Sequence, residues 1–240
     1  MIRVVEPGPL TTVQDLGRRG YLRYGIPESG PLDRAAFVLA NRLVGNPDDA
    51  AGLECTLAGP RLEILAPGAL AATGAEMPLS VNDRQAPRWR TVAVRAGVIP
   101  RYDGEATVRV VLGPQADRFT PAGIATFLEG AYEMLPQSDR MGARLQGPRI
   151  AHARGHDIVS DGIPFGGVQV VGDGQPIVLL ADRQSTGGYT KIATVCSVDV
   201  GRVGQLRPGA RLRFQEITVE AAHALLREAR AALDAAIQEE

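Results

Sequence analysis

The two halves of this chain repeat each other in register. Arg3-Val4-Val5 returns as Arg109-Val110-Val111, and Asp33-Arg34 returns as Asp139-Arg140, both 106 positions on. Gly59 corresponds to Gly166 with one residue of slippage, and each half carries a Leu-x-Gly, at Leu43-Val44-Gly45 and Leu145-Gln146-Gly147. Several matches in one register predict two related lobes, over roughly 1–100 and 106–216. Two copies make a duplicated domain, not a solenoid.

Within each half the pattern is mainly β. Short apolar or alternating runs recur between Gly and Pro punctuation: Arg61–Leu65, Ala69–Thr73, Val92–Arg95, Thr107–Leu112, Gly167–Val171, Ile177–Ala181, Ile192–Val195 and Arg211–Phe214. With 28 Gly and 17 Pro, turns are plentiful, as barrels and sandwiches require. Three helices interrupt. Asp33 to Val44 places Ala36, Leu39, Ala40 and Leu43 on one face, with Gly45 as the stop. Thr120-Pro121 reads as an N-cap followed by proline at the first helical position, and Gly130 closes that helix. A C-terminal helix from about Val219 to Ile237 has Val219, Ala222, Leu226, Ala229, Leu233 and Ile237 at helical spacing; it packs on the second lobe or binds a partner.

Net charge is −1 and aromatic content 5%, which gives no footprint for nucleic acid and no base-stacking platform. Cys55 and Cys196 are the only cysteines, so no disulfide framework is implied, and two reduced thiols fit better than a bridge. No apolar signal region opens the chain and no segment has the length of a membrane span, so a cytoplasmic location is expected.

The chemistry gathers in the second half. Asp182-Arg183-Gln184-Ser185-Thr186-Gly187-Gly188-Tyr189, with Lys191 just behind, follows the apolar run Ile177–Ala181. Glycines let backbone N–H groups approach a ligand closely, and polar groups this dense are costly to bury unpaired. An Asp–Arg pair locking a tight turn, with Gly187-Gly188 making the bend, is the structural alternative. A second cluster, Ser160-Asp161-Gly162 up to Gln169, leads into a strand in which Gln169 faces opposite to Val168 and Val170. Asp139-Arg140 is either a contributor to the site or an architectural pair at the lobe junction. His152 and His156 are spaced i, i+4, but Gly155 between them favours a turn and no Cys or Glu completes a zinc set, so no metal is expected. No Gly-x-Ser-x-Gly elbow, Cys–His signal or Walker motif is present. A polar site without metal or nucleophile suits amide or carboxylate substrates. Arg183 or Lys191 would hold an anion, Asp161 or Asp182 would accept a proton, and Gln169 would read an amide edge.

Five motifs in order then carry a resemblance over nearly the whole chain. They are Gly25-Ile26-Pro27-Glu28-Ser29-Gly30-Pro31-Leu32-Asp33, Ala40-Asn41-Arg42-Leu43-Val44-Gly45-Asn46, Gln137-Ser138-Asp139-Arg140-Met141-Gly142, Ser160-Asp161-Gly162-Ile163-Pro164 and Ala181-Asp182-Arg183-Gln184 on to Lys191. In these the sequence resembles the allophanate hydrolase subunit 2 family, which includes the 5-oxoprolinase C component, KipA-type proteins and the related carboxyltransferase segment of urea carboxylase. The resemblance implies duplicated cyclophilin-like β-barrels, here with a few short helices and a C-terminal helix. It also implies a heteromer with the 5-oxoprolinase B component (KipI-like, allophanate hydrolase subunit 1), and the A component for activity. The implied reaction is ATP-dependent opening of 5-oxoproline to glutamate, with ATP used by the complex and no cofactor bound by this chain. Carboxyl transfer from carboxybiotin to urea or a similar amide, with biotin on a carrier, is one alternative. A non-catalytic KipA-like regulator of a KipI-like partner is the other.

Members of that family are longer. This chain passes from Val94-Arg95-Ala96-Gly97 to Val98-Ile99-Pro100 without a Gly-rich stretch expected there. The lobes are therefore expected as 1–100, shortened, and 101–240 with the C-terminal helix. Lys191 and Arg183 are expected as anion stabilisers and Asp161 as the base, with Asp182 beside them. Gln169 and the Gly187-Gly188 backbone are expected to read an amide or carbonyl, and Asp139, Arg140, Gln184, Thr186 and Tyr189 to complete the substrate site.

Overall fold

In the first half, alternation of apolar and polar residues produces short antiparallel ribbons. The computed structural model describes residues 2–65, 68–81, 84–88 and 105–235. The strands there are β1 (Ile2–Glu6), β2 (Leu10–Gln14), β3 (Gly52–Thr56), β4 (Arg61–Ile64), β5 (Leu79–Val81) and β6 (Arg84–Ala86). Among the described residues they pair as three separate two-stranded sheets, β1 with β4, β2 with β3 and β5 with β6. In the first of these Ile2 lies opposite Ile64 and Val4 opposite Leu62, while Arg3 faces Glu63 and pairs with it at 2.9 Å.

Helix α1 (Arg34–Leu43) starts where the Asp33 side chain accepts the Ala36 N–H. It stops at Gly45, whose φ of +74° suits glycine. The run Ala69–Thr73, expected as a strand, is irregular; the Thr73 hydroxyl donates instead to the Ala36 carbonyl of α1 at 2.8 Å. The expected strand Val92–Arg95 lies outside the described residues.

The second half contains β7 (Glu105–Leu112), α2 (Pro121–Glu129), β8 (Tyr132–Met134), β9 (Gly142–Gln146), β10 (Asp157–Gly162), β11 (Gly167–Val170), β12 (Pro176–Leu179), β13 (Thr186–Tyr189), β14 (Lys191–Val195), α3 (Ser197–Gln205), β15 (Arg211–Glu216) and α4 (Val219–Ala235). Seven of these strands close a barrel in the order β11-β12-β9-β8-β15-β7-β14. Closure leaves those seven strands no free edge. The barrel holds the main core: Val108, Val110, Tyr132, Leu145, Val168, Val170, Val178, Ile192 and Leu212 are all but fully buried. Phe127 of α2 stacks on Phe214 of β15 at 4.4 Å. Strands β10 and β13 stand apart as a two-stranded ribbon, irregular in register between Asp157 and Asp161.

A further difference from the sequence expectation is a helix. Helix α3, Ser-Val-Asp-Val-Gly-Arg-Val-Gly-Gln, was not anticipated because its valines and two glycines disfavour helix locally. Tertiary contact overrides that preference. Asp199, buried, receives the Arg109 guanidinium at 2.6 and 2.7 Å and the Arg109 backbone N–H at 2.8 Å, fixing the helix to β7. Gly201 and Gly204 give room to the first half of the chain, since a Cβ there would lie 3.2 Å from Asp33 Cγ and 3.0 Å from Leu32 Cβ. Gly187-Gly188, which the structural alternative placed in a bend, lie inside strand β13.

The repeat of 106 positions relates β1 to β7 but not the two Asp-Arg pairs. Asp33-Arg34 opens a helix, whereas Asp139-Arg140 sits in the turn between β8 and β9. A two-residue match carries no information about the element it belongs to.

Candidate functional site

Lys191 opens β14 directly opposite Gln169 of β11, so the two side chains leave the barrel wall on one face. Lys191 is fully buried and Gln169 is 5% exposed. The ribbon of β10 and β13 covers them, and Gly187 makes the close approach possible. A Cβ on Gly187 would stand 2.9 Å from Gln169 Nε2 and 2.7 Å from Ile163 Cδ1.

Beneath this cover, Lys191 Nζ and Gln169 Nε2 have no hydrogen-bond partner among the described residues. Buried donors left this way cost free energy that a fold normally avoids. Asp161 of β10 lies 3.5 Å from Lys191 Nζ, an ion pair but longer than a charge-assisted hydrogen bond. Its Oδ1 accepts the Gly162 N–H at 2.7 Å, and its Oδ2 accepts from Gln115 Nε2 at 3.3 Å. The Gly162 N–H and then the Lys191 charge hold this carboxyl below the usual carboxylate range. That makes Asp161 a persistent anion and a weakened base.

Asp182 and Arg140 lie in a different place, the junction between the two halves. Arg140 Nε donates to Asp182 Oδ2 at 2.8 Å, its Nη2 donates to the Gly30 carbonyl at 2.6 Å, and its Nη1 meets Glu54. Ser29 Oγ donates to Asp182 Oδ1 at 2.6 Å, and Glu54 Oε2 accepts the Leu32 N–H at 2.7 Å. Burial alone would raise the Asp182 pKa, but the hydrogen bonds from Arg140 and Ser29 outweigh it and the net shift is downward. The loop from Ser29 to Asp33 is thereby locked to the start of the segment 182–189.

Asp139 does not pair with Arg140. Its exposed carboxylate accepts the Met141 and Gly142 N–H groups at 2.8 and 3.1 Å and shapes the turn. Arg183 is buried, donates from Nε to the Ile163 carbonyl at 3.1 Å and lies over the Phe165 ring at 5.5 Å. Burial lowers its pKa, opposed by the more distant Glu28. Gln184, Thr186 and Tyr189 are exposed, and the Tyr189 ring stands 6.1 Å from His156. Gly188 faces looser surroundings than Gly187, with Ile158 O at 3.3 Å from a Cβ position.

The expected site thus divides. Lys191, Gln169, Asp161 and Gly187 converge; Asp182 and Arg140 form the junction lock; Asp139 stands outside both. Gln115, Ser29 and Glu54 were not anticipated. Gln115 had one legible signal, a polar residue directly after Gly113-Pro114 at the exit of β7. Among the described residues no group of three or more His, Cys, Asp or Glu is placed to hold a metal ion, and both cysteines are free. Among the described residues no helix is long and apolar enough to cross a membrane. Two surface clefts lie among the described residues. One, of about 300 Å³, is lined by Arg18, Glu28 and Ser29 near the junction; the other, of about 420 Å³, by Arg144, Asp173 and Gln175. Neither reaches Lys191, which the ribbon encloses, so buried unpaired donors mark the chemistry better than open volume does.

Comparison with known proteins places this geometry in context. The family model for the carboxyltransferase domain, subdomain A and B, matches residues 24–99 and 98–216. The C component of the Escherichia coli 5-oxoprolinase is 28% identical over 288 residues, spanning 92% of this chain and 93% of the relative. That alignment exceeds the 240 residues of this chain, so the relative carries a stretch with no counterpart here, and the two matched family segments meet at residues 98–99. Urea amidolyase of Lachancea kluyveri is 27% identical over 98% of this chain but only 18% of its own length. The crystal structure of the Kluyveromyces lactis urea carboxylase superposes with a TM-score of 0.89 at 24% identity, over 98% of this chain and 29% of that one. At that identity the likeness speaks for the fold alone.

Proposed function

We propose, on the premise that this chain belongs to the carboxyltransferase-domain family, that it is one component of a hetero-oligomeric amide-processing enzyme. Our first choice of reaction is ATP-dependent opening of 5-oxoproline to glutamate. The observation that carries this reading is the pair of buried donors, Lys191 Nζ and Gln169 Nε2, which lie across paired strands and have no hydrogen-bond partner among the described residues. A buried cation and a buried amide donor on paired strands suit a group with adjacent oxygen acceptors that gains negative charge as it reacts. In this proposal Lys191 donates to the lactam carbonyl oxygen and Gln169 orients the same amide. Arg183, tied to the Ile163 carbonyl, holds the loop that leads into the covering ribbon instead of touching substrate. The likeness over nearly the full length of the 5-oxoprolinase C component supports both the reaction and the heteromer with the A and B components.

Carboxyl transfer to urea or a similar amide is the second reading, favoured by the family match itself. The same two donors fit a ureido carbonyl or a carboxylate, and carboxybiotin on a separate carrier would supply the activated carboxyl group.

The test is glutamate release from 5-oxoproline and ATP by the mixture of this chain with its A and B components. Activity that disappears when this chain is left out, or when Lys191→Ala replaces it, is expected. A stable complex with no glutamate release would overturn the first choice.

A further inference from the structure

Strand β14 loses its β7 neighbour just where Lys191 begins. The β7–β14 ladder runs from Val110 opposite Val195 to Leu112 opposite Ala193, and the Gly113 N–H still reaches the Ile192 carbonyl at 3.0 Å. Pro114 then has no N–H to give. Gln115 takes over both backbone groups of Lys191: its main-chain N–H donates to the Lys191 carbonyl at 3.2 Å, and its side-chain Oε1 accepts the Lys191 N–H at 3.1 Å. The other end of the same amide, Nε2, donates to Asp161 Oδ2 at 3.3 Å. That oxygen is also the one nearest Lys191 Nζ, at 3.5 Å. One planar amide therefore fixes the main chain of the buried cation and engages the carboxylate that would otherwise close on it.

We propose that Gln115 is a positioning residue that holds Asp161 away from Lys191, so that the ammonium stays available to an acceptor on the substrate. This rests on the role given to Lys191 above. A carboxylate free of Gln115 would move to ordinary charge-assisted distance, about 2.8 Å, and take up the donor that the substrate needs. In this arrangement Gln115 on one oxygen, together with the Gly162 N–H on the other, sets the spacing of Lys191 and Asp161.

Gln115→Met keeps the length of the side chain and removes both of its hydrogen bonds. A crystal structure of the full-length variant is expected to show Lys191 Nζ and Asp161 Oδ2 closing to about 2.8 Å. In the reconstituted complex kcat/KM is expected to fall about 10- to 100-fold, the scale of a misplaced catalytic contact. Adding Asp161→Asn to Gln115→Met is expected to recover at least part of that loss, because the group that captures the ammonium is gone. A residue needed only for folding would give no such rescue. An unchanged spacing in the single variant, or a double variant no better than the single, overturns the proposal. If the wild-type complex releases no glutamate, the reaction assignment fails, while the spacing in the variant still decides the role of Gln115.

Discussion

Replacing Lys191 by methionine separates what this residue does for the fold from what it does for chemistry. The side chain is fully buried and its Nζ makes no hydrogen bond among the described residues. A buried polar group in that state costs about 1–3 kcal/mol in mutational series. The attraction to Asp161 returns part of this, but that carboxylate is 56% exposed, so water screens the pair at 3.5 Å. Methionine fills a similar volume without the charge, and Asp161 keeps its contact with solvent. The variant is expected to be more stable by about 1–2 kcal/mol. For a chain of this size that raises Tm by roughly 2–8 °C, at about 2–4 °C per kcal/mol. Scanning calorimetry of the purified chain reads the first quantity, and glutamate release by the reconstituted complex reads the second. Activity should fall to the level seen without this chain. A variant destabilised by more than about 1 kcal/mol would refute the reasoning, since the ammonium would then be satisfied within the fold and serve as a structural cation.

Other expectations concern the covering ribbon and the junction. Gly187→Ala forces a methyl against Ile163 Cδ1 and Gln169 Nε2, and should cost about 1–3 kcal/mol and weaken substrate binding, whereas Gly188→Ala, less crowded, should do neither in the same assays. Arg140→Ala removes the cation shared by Asp182 and Glu54, leaving them only Ser29 Oγ and the Leu32 N–H, and should lower stability in urea titration by about 3 kcal/mol. Arg140→Lys should restore little of that loss, because one ammonium cannot reach Asp182, Glu54 and the Gly30 carbonyl together. The folded pKa of Asp182 lies below its ordinary value of 3.8. Its contribution to stability is therefore complete above that value and is lost as pH falls through the lower folded pKa. Acid titration of Asp182→Asn should show a shallower loss of stability below pH 3.8 than wild type; equal slopes would place the linkage elsewhere.

Much of the fold was legible because it rests on local rules. The alternation in Thr107–Leu112 and Arg211–Phe214 became adjacent barrel strands, and Asp33, Gly45 and Thr120-Pro121 bound helices as capping chemistry requires. Helix α3 was not legible, because Gly201 and Gly204 answer to Leu32 and Asp33, residues far away in the chain. The first half, expected as a barrel partly shortened, consists among the described residues of three ribbons, and the strand pairing that would join them is not a property of any one run.

The sequence by itself determined the mainly β character, the caps, and the set of polar residues from which a site is drawn. Only the tertiary structure decided how that set divides. Asp161, Asp182, Arg183 and Lys191 look equally eligible in one dimension. Barrel closure sets Lys191 against Gln169 and brings in Gln115 from 76 positions away, while Asp182 is taken up by Ser29 from 153 positions away. Whether a charged side chain is paired or left free depends on what covers it, and the covering residues come from other parts of the chain.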